Sequence, residues 1–192
     1  MMKALLKEIS SCQVCAPFLE HEPRPVMNAS KNSRILVIGQ APGSRVHQTG
    51  IPWNDPSGKR LRQWMNISDE RFYDPEWIGI VPMGFCYPGK GKSGDLPPRP
   101  ECAPLWHSRL LEQMPEVELT LLIGQYAQAY YLGENAKRTL TDTVKAYEEY
   151  LPAFLPLPHP SPRNGIWLRK NDWFEAEVLP ELKKRVARIL KN

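Results

Sequence analysis

Ile35-Leu36-Val37-Ile38-Gly39-Gln40-Ala41-Pro42-Gly43 is the stretch on which the fold turns. Four aliphatic residues in a row, with no polar alternation, read as a strand buried on both faces. Gly39, Pro42 and Gly43 then break it. Three further apolar runs repeat the pattern, at residues 78–81, Leu119–Ile123 and Phe154–Leu157. Amphipathic stretches at about 58–66, 101–112, 126–132, 141–150 and 173–190 separate or follow them. Strands alternating with helices predict an α/β, three-layer α/β/α sandwich around a central, mainly parallel four-stranded sheet. Ligands of such sheets bind beyond the carboxyl ends of the strands. Residues 39–43 form one such end. His159-Pro160-Ser161-Pro162-Arg163-Asn164, directly after another strand, forms a second. Both segments are expected on one rim.

Composition bounds the possibilities. With 192 residues and 42% hydrophobic content, the chain suits a single domain over 1–192 with its own core. An N-terminal arm of about residues 1–30 precedes the first strand. No run of ~18 apolar residues suggests a membrane span. Lys3, Lys7 and Glu8 interrupt the start, which lacks a secretory pattern. A cytoplasmic monomer is the expectation. The formal net charge of +4 permits nucleic-acid binding without demanding it. Lys59-Arg60-x-Arg62, Lys90-x-Lys92, Arg99 and Arg163 cluster near the motif segments, whereas Lys183, Lys184, Arg185 and Arg188 read as a solvated helix face. Many of the 20 prolines fall in the motif loops and in the long stretch 87–100, where they stiffen the chain.

The four cysteines fall as Cys12-x-x-Cys15, Cys86 and Cys102, the last two separated by 15 residues. From spacing alone several readings stay open: an iron–sulfur cluster, a four-cysteine zinc site, disulfides, or ordinary core thiols. Disulfides fit least well with a cytoplasmic chain.

Taken together these segments resemble the uracil-DNA glycosylase superfamily, most closely its iron–sulfur family 4. That family's first motif is G-E-x-P-G, five residues, then T-G-x-P-F. Here residues 39–43 are followed by 44–48 and by Thr49-Gly50-Ile51-Pro52-Trp53. The H-P-S start of its second motif is His159-Pro160-Ser161, and the continuation Pro162-Arg163-Asn164 is similar to the single-strand-selective uracil glycosylases. Its Cys-x-x-Cys-Pro start matches Cys12 to Cys15, with Ala16 in place of proline.

The resemblance implies a DNA glycosylase that hydrolyses the N-glycosidic bond of a flipped-out deaminated base. It implies a [4Fe-4S] cluster on Cys12, Cys15, Cys86 and Cys102, docking the N-terminal arm. His159 would stabilise the departing base anion. Gln40, also a catalytic candidate, and Ala41 would begin the base pocket, Trp53 would stack on the base, and Asn54 would read its edge. Pro42, Gly43, Lys90, Lys92, Ser161, Pro162, Arg163 and Asn164 would meet DNA. Three departures stand out. Gln40 replaces a glutamate, and Ala41 stands where classical members have a water-positioning aspartate. Pro82 replaces an asparagine that reads the uracil edge, so hypoxanthine and xanthine join uracil as candidate bases. With both carboxylates absent, His47 is the remaining candidate to orient water. A non-catalytic or weakly active DNA-binding relative is one alternative. A small-molecule α/β hydrolase or nucleotide-binding domain is another, although no Gly-rich phosphate loop with lysine is present.

Overall fold

The computed structural model describes residues 1–191. In chain order its strands are β1 (Ile35–Ile38), β2 (Ile78–Ile80), β3 (Lys90–Gly91), β4 (Gly94–Asp95), β5 (Leu119–Ile123) and β6 (Phe154–Leu157). Four of them form a sheet of order β2-β1-β5-β6 in which every neighbouring pair is parallel. Ile35 sits between Ile78 on one side and Leu119 on the other.

The helices are α1 (Met2–Ser10), α2 (Ser44–Thr49), α3 (Pro56–Met65), α4 (Asp69–Tyr73), α5 (Cys102–Leu111), α6 (Gln125–Leu132), α7 (Leu140–Lys145), α8 (Gly165–Lys170) and α9 (Leu179–Ile189). Successive strand side chains point to opposite faces, and both faces of β1 are fully buried. Ile35 and Val37 pack with Leu61 of α3, Phe72 of α4 and Leu182 of α9. Leu36 and Ile38 pack with Ile9 of α1, Trp106 of α5 and Ala127 of α6. Two apolar clusters separated by the sheet make the three layers, as strands buried on both faces require.

Three details differ from the sequence expectation. The stretch 173–190 is not one helix: a wide π-type turn, Phe174–Val178, leads into α9, whose second residue is Pro180. Proline has no N–H to donate, so the hydrogen-bond register changes there without loss. The stretch 141–150 divides into α7 and a 3₁₀ turn, Tyr147–Tyr150. The long loop after Cys86 carries a small antiparallel hairpin, β3–β4.

The N-terminal arm has attachments of its own. Leu5 and Ile9 are buried against the α5 side of the core. Glu8 and Arg109 pair through both carboxylate oxygens, at 3.0 and 2.6 Å. Further on, Asn28 bridges Ile80, and the Val26 N–H donates to the Phe85 carbonyl at 2.8 Å. No helix among the described residues is long and apolar enough to cross a membrane.

Candidate active site

Both motif loops leave the same rim of the sheet. They close around a cavity of about 430 Å³ walled by Gly39, Gln40, Ala41, Pro42, Trp53, Asp55, Ile80, Pro82 and His159, among others. This cavity shares Gln40, Ala41, Pro42, Gly43, Asp55 and His159 with an open groove of about 2190 Å³. Lys90 and Lys92 of the hairpin, Ser161 and Arg163 line that groove. A small pocket with few polar groups thus opens into a wide, partly basic trough.

Trp53 is held in an unusual backbone state, with φ of 55°. For a bulky residue this left-handed conformation costs about 1–2 kcal/mol. Two glycines make room for it. A Cβ at Gly58 would lie 1.8 Å from the Trp53 carbonyl oxygen, and one at Gly39 would lie 2.7 Å from the indole. Arg62 donates to the Trp53 carbonyl at 3.2 Å. The indole thereby reaches the imidazole of His159, ring centroids 5.6 Å apart and planes tilted by 30°.

His159 follows β6 and is fixed through its backbone. The Asn164 amide donates to its carbonyl at 2.7 Å, and Arg60 donates to the Ser161 carbonyl at 3.0 Å. Burial lowers the His159 pKa below the ordinary histidine value, while the charges of Asp55 and Asp95 oppose that shift. The neutral imidazole is favoured, leaving an N–H donor in a confined pocket. Asp55 caps α3: its Oδ1 accepts from the Gly58 N–H at 2.7 Å.

A match to the family model "Uracil DNA glycosylase superfamily" extends over residues 26–183. The chain belongs to that superfamily. Base excision from DNA is the activity this family represents, and both motif loops lie inside the matched span.

Seen against that family, the expected residues sort into those the fold gathers and those it does not. Gln40, Ala41, Trp53, Pro82 and His159 wall the pocket. Pro42, Gly43, Lys90, Lys92, Ser161 and Arg163 border the groove. His47 does not join them. It sits on α2 with its ring 5.3 Å from that of His21 and 5.8 Å from that of Tyr87, outside both linings. Asn54 lies outside them as well, its N–H directed to the Ile51 carbonyl at 3.4 Å. Pro162 opens a short 3₁₀ turn and Asn164 closes it, and neither lines the groove. Nor do all the basic residues near the motifs face outward. Arg62 is only 8% exposed, and Arg99 pairs with Glu101 and covers Phe18 at 4.3 Å.

Asp55, Asp95 and His107 join the pocket region without standing in either motif. Asp55 had a signal: Asp-Pro immediately before a helical pattern is a helix N-cap, and this cap lands between the two motif loops. Asp95 gave none, because its approach to Gly43 depends on the hairpin. His107 lies on α5, far from either motif in sequence.

The four thiols line a separate cavity of about 410 Å³ with Val14, Pro23, Pro25, Phe85, Leu105 and Trp106. None is in a disulfide. Among the described residues no group of three or more His, Cys, Asp or Glu side chains closes on one point as a single ion requires. Burial raises the Cys86 thiol to about 11 and the Cys102 thiol to about 12. Cys15 is raised for the same first reason. The Phe85 N–H lies 3.3 Å from the Cys102 sulfur, an electrostatic support for a thiolate there.

Proposed function

We propose that this protein is a monofunctional DNA glycosylase that removes a deaminated base, uracil or a purine counterpart, from DNA. One observation carries the reading: His159, Trp53 and Asp55 wall a single small pocket at the edge of a groove lined by Lys90, Lys92 and Arg163. The groove would take the phosphate backbone and the pocket a base turned out of the stack. Trp53 would stack on the base face, which needs no edge recognition.

As the glycosidic bond breaks, negative charge gathers on the base and positive charge on the sugar. A neutral His159 would donate to a base oxygen as that charge develops, an interaction stronger in the transition state than before it. Asp55 replaces His47 as the group to orient the attacking water. Oδ1 is occupied by the Gly58 N–H, and Oδ2 has no hydrogen bond from a described residue. No lysine lines the pocket, which favours water over an amine as nucleophile. The Ala41 side chain and the Pro82 ring offer no hydrogen bond to a base edge, which favours tolerance of several deaminated bases.

The thiol cavity suits a [4Fe-4S] cluster on Cys12, Cys15, Cys86 and Cys102. Each iron takes one cysteine, so the ligands of a cluster surround a volume rather than a point. Such a group would tie the hairpin loop, through Cys86 and Cys102, to the N-terminal arm.

Single-turnover assays on oligonucleotides carrying uracil, hypoxanthine or xanthine test the activity, in single and double strands. Release of at least one base, leaving an abasic site with the strand intact, is expected. Binding without release from any substrate would refute it.

A further inference from the structure

We propose that Arg62 is a positioning residue for base release, acting through Trp53; this rests on the glycosylase reading above. The sequence places Arg62 in a basic cluster near the motifs, where it would be taken for a phosphate contact. The structure puts it inside. It is 8% exposed and does not line the groove. Its guanidinium lies against Phe72 at 5.3 Å and Tyr73 at 5.4 Å.

Two of its three nitrogens have defined partners. Nε donates to Asp69 Oδ1 at 2.6 Å, and Nη1 donates to the Trp53 carbonyl at 3.2 Å and lies 3.3 Å from the Tyr73 hydroxyl. Asp69 keeps its carboxylate largely in water and holds the fork from outside. The far end of the fork grips the one non-glycine residue of the pocket wall whose φ is positive. A strained conformation persists only where its surroundings over-determine it. Here Gly58 leaves space for the Trp53 carbonyl and Arg62 attracts it. With that carbonyl fixed, the indole is directed across Gly39 toward His159. Lysine cannot reproduce this, because it offers one point charge and not a planar fork.

The test compares the parent with Arg62→Met, Arg62→Lys, Trp53→Gly and the Trp53→Gly/Arg62→Met double variant. Glycine at position 53 removes the indole and any need to enforce a positive φ. Arg62→Met should slow single-turnover base release by roughly tenfold or more, as expected for a misplaced group at a reacting centre. Arg62→Lys should fall between that variant and the parent. DNA affinity should stay within about twofold, with an unchanged salt slope, because no phosphate contact is lost. On the Trp53→Gly background the arginine substitution should cost nothing further. Additive losses, or a shallower salt slope, would overturn the proposal.

A readout free of turnover separates this claim from the function it rests on. The ring current of Trp53 acts on the His159 imidazole, so the His159 ring-proton resonances should move in Arg62→Met toward their Trp53→Gly positions. If the parent releases no base while those resonances move, the glycosylase reading fails and the positioning of Trp53 stands. Unmoved resonances defeat the positioning role whatever the activity. Should Arg62→Met not fold, Arg62→Lys carries the same comparison, its His159 resonances expected to move part of the way toward those of Trp53→Gly and its unmoved resonances counting against the role.

Discussion

His107 and Pro82 are joined by a hydrogen bond of 3.1 Å between the imidazole Nε2 and the proline carbonyl. A carbonyl only accepts, so Nε2 carries the proton. Nδ1 then accepts from the Tyr131 hydroxyl, 2.6 Å away. His107 is 2% exposed, and burial depresses its pKa to about 4. A buried neutral histidine thus pins the β2 end of the pocket, and the carbonyl of Pro82 is committed to it.

This bond should make stability depend on pH. The folded pKa lies below the unfolded one, so the unfolded chain binds the proton first as pH falls. The contribution is fully present above about pH 6.5, declines below it, and is lost as pH falls through about 4. The amount is on the order of 3 kcal/mol. His47 and His159 are depressed too and act in the same sense. Urea midpoints measured from pH 7.5 to 4.5 should fall steadily in the parent and less steeply in His107→Gln. Parallel slopes would show that His107 does not remain neutral in the folded protein.

His159→Ala should lose base release by about two to three powers of ten, the range for removing one transition-state donor. DNA affinity should change little, because the bond strengthens only as charge develops. Single-turnover rates and binding isotherms on the same oligonucleotide check both parts. A variant that cleaves like the parent would remove His159 from the reaction.

The sheet was legible because each strand is a short, mostly apolar run, too short for a helix and closed by Gly or Pro or followed by a polar segment. The pocket was legible where a motif loop directly follows such a run, as for Gln40 and His159. Legibility stopped where a side chain turns away from its sequence neighbours. His47 shares α2 with Val46, yet Val46 meets the pocket and His47 packs on His21. Arg60 and Arg62 look alike in sequence, but burial separates a loop brace from the clamp on Trp53. His107 could not be found from pattern, since its partner lies 25 residues away across a strand-to-helix crossing.

Anaerobically purified protein should be brown, absorb near ~400 nm, and contain iron with inorganic sulfide. Substitution of Cys12, Cys15, Cys86 or Cys102 by alanine should bleach it. Leu5 and Ile9 share their apolar cluster with Leu36, Ile38, Trp106 and Leu110 as well as with Cys102, and Glu8 pairs with Arg109, so α1 should stay docked in these variants. Protection of α1 amides from hydrogen exchange checks that part. Zinc in stoichiometric amount with no iron would refute the cluster.

Pro82→Asn tests how the base edge is read. The Val81 and Met83 N–H groups donate to the Val37 and Gly39 carbonyls, so the N–H absent at Pro82 would face the Val26–Asn28 side. Proline is tolerated there because no β1 carbonyl needs that donor. The substitution restores an N–H at that outer position and replaces the pocket-facing ring by a carboxamide. The backbone should hold its course, since His107 keeps the carbonyl and the Gly84 N–H donates to the Gln40 carbonyl at 3.0 Å. A bidentate amide on a base edge is worth roughly 1–3 kcal/mol of discrimination, or about 5- to 150-fold. Hypoxanthine and xanthine offer the same pattern at O6 and N1–H, but on a purine whose edge stands farther from the sugar, so an amide placed for uracil should raise uracil release by such a factor relative to theirs, measured on matched oligonucleotides. Should selectivity stay flat in a variant whose melting curve matches the parent's, position 82 does not meet the base edge. The tolerance ascribed to Pro82 would then have to come from Ala41 and Gln40.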